Sequence, residues 1–311
     1  MTKMVSCREK YTETLLNLAK ENKDIYVITS DARGSCSLGN FAKELPDQFI
    51  EVGIAEQDEV GIAAGLAAVG KRPYVCAPAC FLTARSLEQI KVDVAYSHQN
   101  VKIFGVSGGI SYGALGASHH TLHDIAVLRA IPDIMIFLPC DANQTAALLK
   151  AEEQKDYPAY IRAGRAGVPD VYGEDAPFQI GKANILQTGD DLAIIATGET
   201  VWHALSAAEK LAEQGIFARV VDMHTLRPLD EETIISAAKE TGKILTVEEH
   251  SINGGLGAAV AQTVCEEYPV KVQSLGLPDE YLVAGNSTEL FHHYGLDAEG
   301  IFNKSMQIMG R

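Results

Sequence analysis

Residues 50–70 read IEVGIAEQDEVGIAAGLAAVG. Ile50, Val52 and Ile54 alternate as a strand does, and from Asp58 onward the run is a helix of almost nothing but small residues. A strand handing over to a helix through a short joint is the half-unit of a parallel sheet covered by helices. Glu56 stands at that joint, where a core takes an apolar side chain. One account is electrostatic: with Asp58 and Glu59 it puts negative charge in the first helical turn, which the macrodipole favours by about 0.3–1 kcal/mol. The helix behind it asks for more. Gly61, Ala63, Ala64, Gly65, Ala67 and Ala68 leave little bulk on any face, and glycine costs up to about 1 kcal/mol inside a helix. A helix this slim is expected to admit another backbone at close range, across a subunit interface.

Outward from this unit, short β-rich runs recur between amphipathic stretches: 25–29, 72–77, 101–106, 134–139 and 159–164. They predict an α/β first half with a parallel sheet. From 164 to 189 repeated Gly and Pro break the pattern. The alternation then resumes, with strands expected at 192–198, 218–223, 243–249 and 270–278 and helices between them. The division expected is a first domain over 1–175, a linker over 176–188 and a smaller α/β domain over 189–311.

Composition narrows the functions open to such a chain. Its 311 residues carry 26 basic and 41 acidic side chains, a net charge of −15, with no basic cluster to serve as a footprint for nucleic acid. No apolar run reaches the roughly 18 residues needed to cross a bilayer. Six cysteines, mostly in apolar segments and without a C-x-x-C pair, read as reduced thiols. With a polar, charged start in place of a signal peptide, they place the chain in the cytoplasm.

Two further stretches could carry chemistry. In GVSGGISYGALGASHHTLHDIAVLRAIPD (105–133), a glycine-rich loop delivers His119 and His120 ahead of a helix. Adjacent histidines do not share a helix face, and their spacing to His123 does not make a metal site. Histidines on such a loop suit proton transfer or oxyanion contacts, or are simply solvent-exposed polar residues. In APACFLTARSLEQIKVDVAYS (77–97), a strand end runs through Phe81 into a helix. Phe81 is either core or the wall for a planar cofactor.

Taken together, GIAEQ with its small-residue helix, FLTARSLEQIKVDVAYS, GASHHTLHDIAVLRAIPD with PCDANQ after it, and VEEHSINGGLGAAVAQ resemble the C-terminal half of transketolase along nearly the whole chain. The resemblance implies a pyrimidine-binding thiamine diphosphate fold followed by a transketolase C-terminal domain, in the separate C-terminal subunit of a split enzyme. Glu56 then falls on the carboxylate that hydrogen-bonds the cofactor's aminopyrimidine and favours the form that deprotonates the thiazolium carbon. Sunk among Ile54, Ala55 and small residues, that carboxyl is expected to have a raised pKa. Phe81 matches the aromatic stacked on the pyrimidine, and Asp31 and Ile54 fall beside the cofactor. His119 matches the histidine facing the substrate's carbonyl and hydroxyls. Arg8, Ser35 and Arg162 fall on positions that grip a sugar phosphate, a task suited to guanidinium forks.

Where full-length transketolases place an aspartate that reads a donor hydroxyl, this chain has Leu115. Where they place a histidine it has Ser107, and Ala84 and Leu87 stand in place of two pocket aromatics. The G-D-G sequence that leads the Mg2+ and diphosphate site is missing, since TGDDLA (188–193) precedes a strand of the second domain. An N-terminal-type partner is therefore expected to supply those ligands, with two copies of each chain forming an α2β2 heterotetramer. The rival expectations are a 2-oxo acid dehydrogenase β subunit, a deoxyxylulose phosphate synthase-like protein, and a non-catalytic scaffolding paralogue.

Overall fold

Among residues 4–311, which the computed structural model describes, seven strands make the first sheet. Their order is Thr225–Arg227, Met135–Phe137, Ala159–Ala163, Lys102–Val106, Arg72–Pro78, Ile25–Thr29, Phe49–Glu51. All pair in parallel except Thr225–Arg227, which closes one edge antiparallel. The inner strands are covered on both faces and so read as near-continuous apolar runs. Helix Cys7–Glu21 packs on this sheet, its start capped by Ser6, whose hydroxyl accepts from the backbone N–H of Glu9. Its Tyr11 ring stacks on Phe104 with centroids 3.5 Å apart.

The second sheet runs Lys271–Leu277, Lys243–Ser251, Leu192–Ala196, Ala218–Asp222, Asn184–Gln187, with only the last strand antiparallel. Two features correct the sequence reading. Asn184–Gln187 lies inside the stretch 176–188 expected to be linker, yet it edges the second sheet through pairing with Ala218–Asp222. Thr225–Arg227, which follows directly on a second-sheet strand, crosses to pair with Ile136 and Phe137 of the first. Both sheets share a continuous core, in which Ile195, Val221, Met223 and Leu226 join Phe137 and Leu138.

The opening strand is also shorter than its alternation suggests. It ends at Glu51, whose carboxylate accepts from the backbone N–H of Asp31 at 2.7 Å and of Gly53 at 3.1 Å. Gly53, at φ +74°, turns the chain out of the sheet. Ile54 is consequently 75% exposed rather than part of a strand. Among the described residues, a Cβ placed on Gly61 or Gly65 of helix Glu56–Ala68 would meet no atom within 4 Å, so at these two glycines no other described segment makes the close approach expected of this helix. Among the described residues no helix is long and apolar enough to cross a membrane.

Candidate active site

Most of the residues singled out by sequence lie past the C-terminal ends of the parallel strands, where open α/β sheets bind their ligands. Glu56 opens helix Glu56–Ala68 and is 5% exposed. It borders a cavity of about 690 Å3 together with Ile54, Ala55, Gln57, Asp58 and Arg85. Sequence reading placed the carboxyl in apolar surroundings; the structure gives it a cation. Nη1 of Arg85 donates to Glu56 Oε1 at 2.7 Å, and the same guanidinium lies 4.4 Å from the centroid of the Phe81 ring. Burial pushes the carboxyl of Glu59, one turn further along, up to about 8.

From Phe81 a line of side chains leads away from Glu56. The His119 ring packs edge-on to Phe81 at 5.0 Å and to Tyr112 at 5.3 Å, and its Nδ1 lies 3.0 Å from the Ser118 hydroxyl. The guanidinium of Arg165 lies 4.0 Å from the centroid of the Tyr112 ring. Arg165 in turn neighbours Arg8: burial first, and then the charge of Arg165, push the Arg8 guanidinium below its usual range. Arg8 Nη1 donates to the backbone carbonyl of Ser35 at 2.8 Å, so Ser35 takes part through its main chain. A carboxylate, two aromatic rings, an imidazole and two guanidinium groups thus form one row.

Arg162 is not in it. This arginine is 5% exposed inside the strand Ala159–Ala163, where Nη2 donates to the backbone carbonyl of Glu249 and Nε lies 3.5 Å from Asp124 Oδ2. Burial opposes its charge, but Asp124 and Glu249 outweigh burial and hold it protonated. It ties the strand Ala159–Ala163 of the first sheet to Glu249 of the second. The glycines at 108 and 109 serve the same junction, since a Cβ on Gly108 would collide with Arg162 and one on Gly109 with Glu249. Sequence reasoning passed over Arg165, although its place just beyond a strand's C-terminal end marks it as the more exposed of the two.

Asp31 and Ser107 follow the strands Ile25–Thr29 and Lys102–Val106 with φ of +54° and +64°. Left-handed backbone at non-glycine residues costs of order 1–3 kcal/mol and collects at functional sites. Asp31 is exposed and caps no helix, whereas Ser107 is buried with its hydroxyl unpartnered among the described residues. Leu115 is 48% exposed, Ala84 is exposed and Leu87 is half-buried.

Comparison with known proteins places this geometry. The transketolase pyrimidine-binding domain matches residues 3–170 and the transketolase C-terminal domain residues 181–301. The chain is 60% identical to one of the subunits of the apulose-4-phosphate transketolase of Phocaeicola vulgatus, covering 98% of each. It is 36% identical to the 6-deoxy-6-sulfo-D-fructose transketolase subunit SqwH of Clostridium sp., over 98% of this chain and 94% of that one. A solved structure described as a split-gene transketolase, inactive beta4 tetramer, superimposes with a TM-score of 0.90 at 39% identity, covering 99% of both chains. The chain belongs to the transketolase family, and carries that family's pyrimidine-binding and C-terminal domains in that order.

Proposed function

We propose that the chain is the C-terminal-type subunit of a two-chain transketolase, moving a two-carbon ketol unit from a ketose phosphate to an aldose acceptor. The observation that carries this reading is the row from Glu56 and Phe81 through His119 and Tyr112 to Arg165 and Arg8. A pyrimidine-type cofactor fits its first part. A planar hydrogen-bond donor, the Arg85 guanidinium, already lies against the Glu56 carboxylate and over the Phe81 face, so the same two surfaces can hold an aminopyrimidine. Thiamine diphosphate bound there supplies the carbon nucleophile and the electron sink that ketol transfer requires.

The chain's own residues have these roles. Glu56 hydrogen-bonds the ring edge and keeps a proton mobile at its nitrogen, Phe81 forms the wall behind the ring, and Asp31 and Ile54 border it. His119, held between two aromatic rings, moves a proton at a substrate hydroxyl or steadies its oxygen. Arg8 and Arg165 take the phosphate through charge-assisted forks, with the main chain of Ser35 bracing Arg8. Arg162 was expected in that grip and has no part in it, because its guanidinium is committed to Asp124 and Glu249.

For the donor we favour a ketose of the apulose 4-phosphate kind, by analogy with the relative at 60% identity. Leu115 replaces an aspartate that reads a donor hydroxyl and Ser107 replaces a histidine, which suits an unusual sugar. Mg2+ and the diphosphate are assigned to an N-terminal-type partner, two copies of each chain forming an α2β2 heterotetramer. Five buried cysteines, all free, fit the reducing cytoplasm. The test is to mix the purified subunits with Mg2+ and thiamine diphosphate and to assay ketol transfer. Activity is expected only from the mixture, and full turnover by this chain alone would overturn the two-chain reading.

A further inference from the structure

Arg85 is unaccounted for by this function, and its contacts are unusual. Phe81 and Arg85 stand four residues apart on helix Ala79–Arg85, the spacing that stacks side chains on one helical face. The guanidinium therefore reaches the Phe81 ring by local geometry, at 4.4 Å, and from there meets Glu56 Oε1 at 2.7 Å. Among the described residues it hydrogen-bonds nothing else, and its side chain is 49% exposed. It fastens no backbone segment and bridges no domains, in contrast to Arg162.

We propose that Arg85 is a built-in stand-in for the aminopyrimidine. A guanidinium is planar, delocalised and rich in N–H donors along its edge. It offers Glu56 a hydrogen bond and Phe81 a flat face, the two things that the ring of the cofactor must offer. Both cannot use the same carboxylate edge and the same ring face together. Arg85 consequently competes with the cofactor from within the chain, and the ring enters only as the guanidinium swings out to water. Its half-exposed position makes that exit possible without disturbing the core.

The competition sets a condition on binding. The pyrimidine contacts in this chain are partly spent on Arg85, so the ring alone gains little, and retention depends on further contacts made by the rest of the cofactor. Arg85 thereby biases the pocket against thiamine compounds lacking those contacts. The inference rests on the thiamine diphosphate reading of the pocket and goes beyond it by naming the residue that gates it.

The test uses the full chain and the cofactor's pyrimidine portion alone, 4-amino-5-hydroxymethyl-2-methylpyrimidine, titrated by calorimetry. A half-exposed ion pair and a cation–π contact removed together correspond to about tenfold in affinity. Arg85→Ala is expected to bind the pyrimidine about tenfold more tightly than the wild type. Arg85→Lys, which keeps the charge and loses the plane, falls between them. Equal or weaker binding by Arg85→Ala, with an unchanged thermal unfolding midpoint, overturns the proposal. The Arg85→Ala/Glu56→Ala double variant separates the two levels of inference. Tight binding that survives the loss of Glu56 refutes the pyrimidine reading of the pocket itself, whereas Glu56-dependent binding that Arg85→Ala fails to improve refutes only the stand-in.

Discussion

Arg162→Ala discriminates most sharply between a substrate-binding and a domain-joining arginine. The guanidinium is 5% exposed, with Nε 3.5 Å from Asp124 Oδ2 and Nη2 on the backbone carbonyl of Glu249. Asp124 is fully buried and also accepts from the Tyr160 hydroxyl at 2.6 Å, so it remains in place when the arginine goes. Removing one member of a buried ion pair strands the other charge and costs about 3–5 kcal/mol. At roughly 2–4 °C per kcal/mol for large domains, the thermal midpoint should fall by about 6–20 °C, read by circular dichroism. Arg165→Ala is the counterpart. That side chain is half-buried and leans on Tyr112, so the fold should hold while affinity for a sugar phosphate drops about tenfold to a hundredfold, the worth of a charge-assisted hydrogen bond. Affinity for the unphosphorylated sugar should be unchanged. An Arg162→Ala chain with an unaltered midpoint and a phosphate-selective loss would refute the assignment of Arg162 to the domain junction.

Glu56→Gln in the reconstituted enzyme should lower ketol transfer by about 10²–10⁴, the usual contribution of a positioned acid–base group, because an amide donates a hydrogen bond but supplies no mobile proton. Undiminished proton–deuterium exchange at the thiazolium carbon would rule this role out. Stability should also depend on pH. Burial pushes Glu59 and Glu249 up to about 8 and Glu199, Glu248 and Asp222 up to about 7. Folded values above the unfolded values of about 4 mean that the native state binds more protons, so these groups favour folding at low pH and lose that contribution as pH rises through 7–8. Buried His224 and His250, pushed down to about 4, act in the opposite direction below pH about 6.5. The midpoint should therefore fall between pH about 6.5 and 8.5, and a midpoint that rises over that interval would contradict the burial of these carboxyls.

Sequence alone was sufficient for what local periodicity and local chemistry encode. The strands expected at 25–29, 72–77 and 192–198 from apolar runs bounded by turn residues are found at Ile25–Thr29, Arg72–Pro78 and Leu192–Ala196. The helix Glu231–Thr241 falls between two expected strands, where the alternation calls for one, and the structure adds its cap, Asp230 accepting from the Thr233 N–H. Glu56, Phe81, His119 and Arg8 could be singled out as candidates because each sits in a short motif. Tertiary structure decided what depends on partners far along the chain. Whether Ala159–Ala163 turns Arg162 inward is settled by Glu249 and Asp124, 87 and 38 positions away, and no period within the strand carries that information. The strand pairing of Asn184–Gln187 and Thr225–Arg227 had the same cause, because three- and four-residue edge segments gain their structure only from the sheets they join. For Glu56 the sequence led to expect apolar surroundings, and the structure adds a cation to them. Its apolar neighbours are adjacent in sequence, whereas the cation that meets it arrives from a separate helix 29 residues later, and a carboxylate's environment is set by whatever charge lies nearest in space.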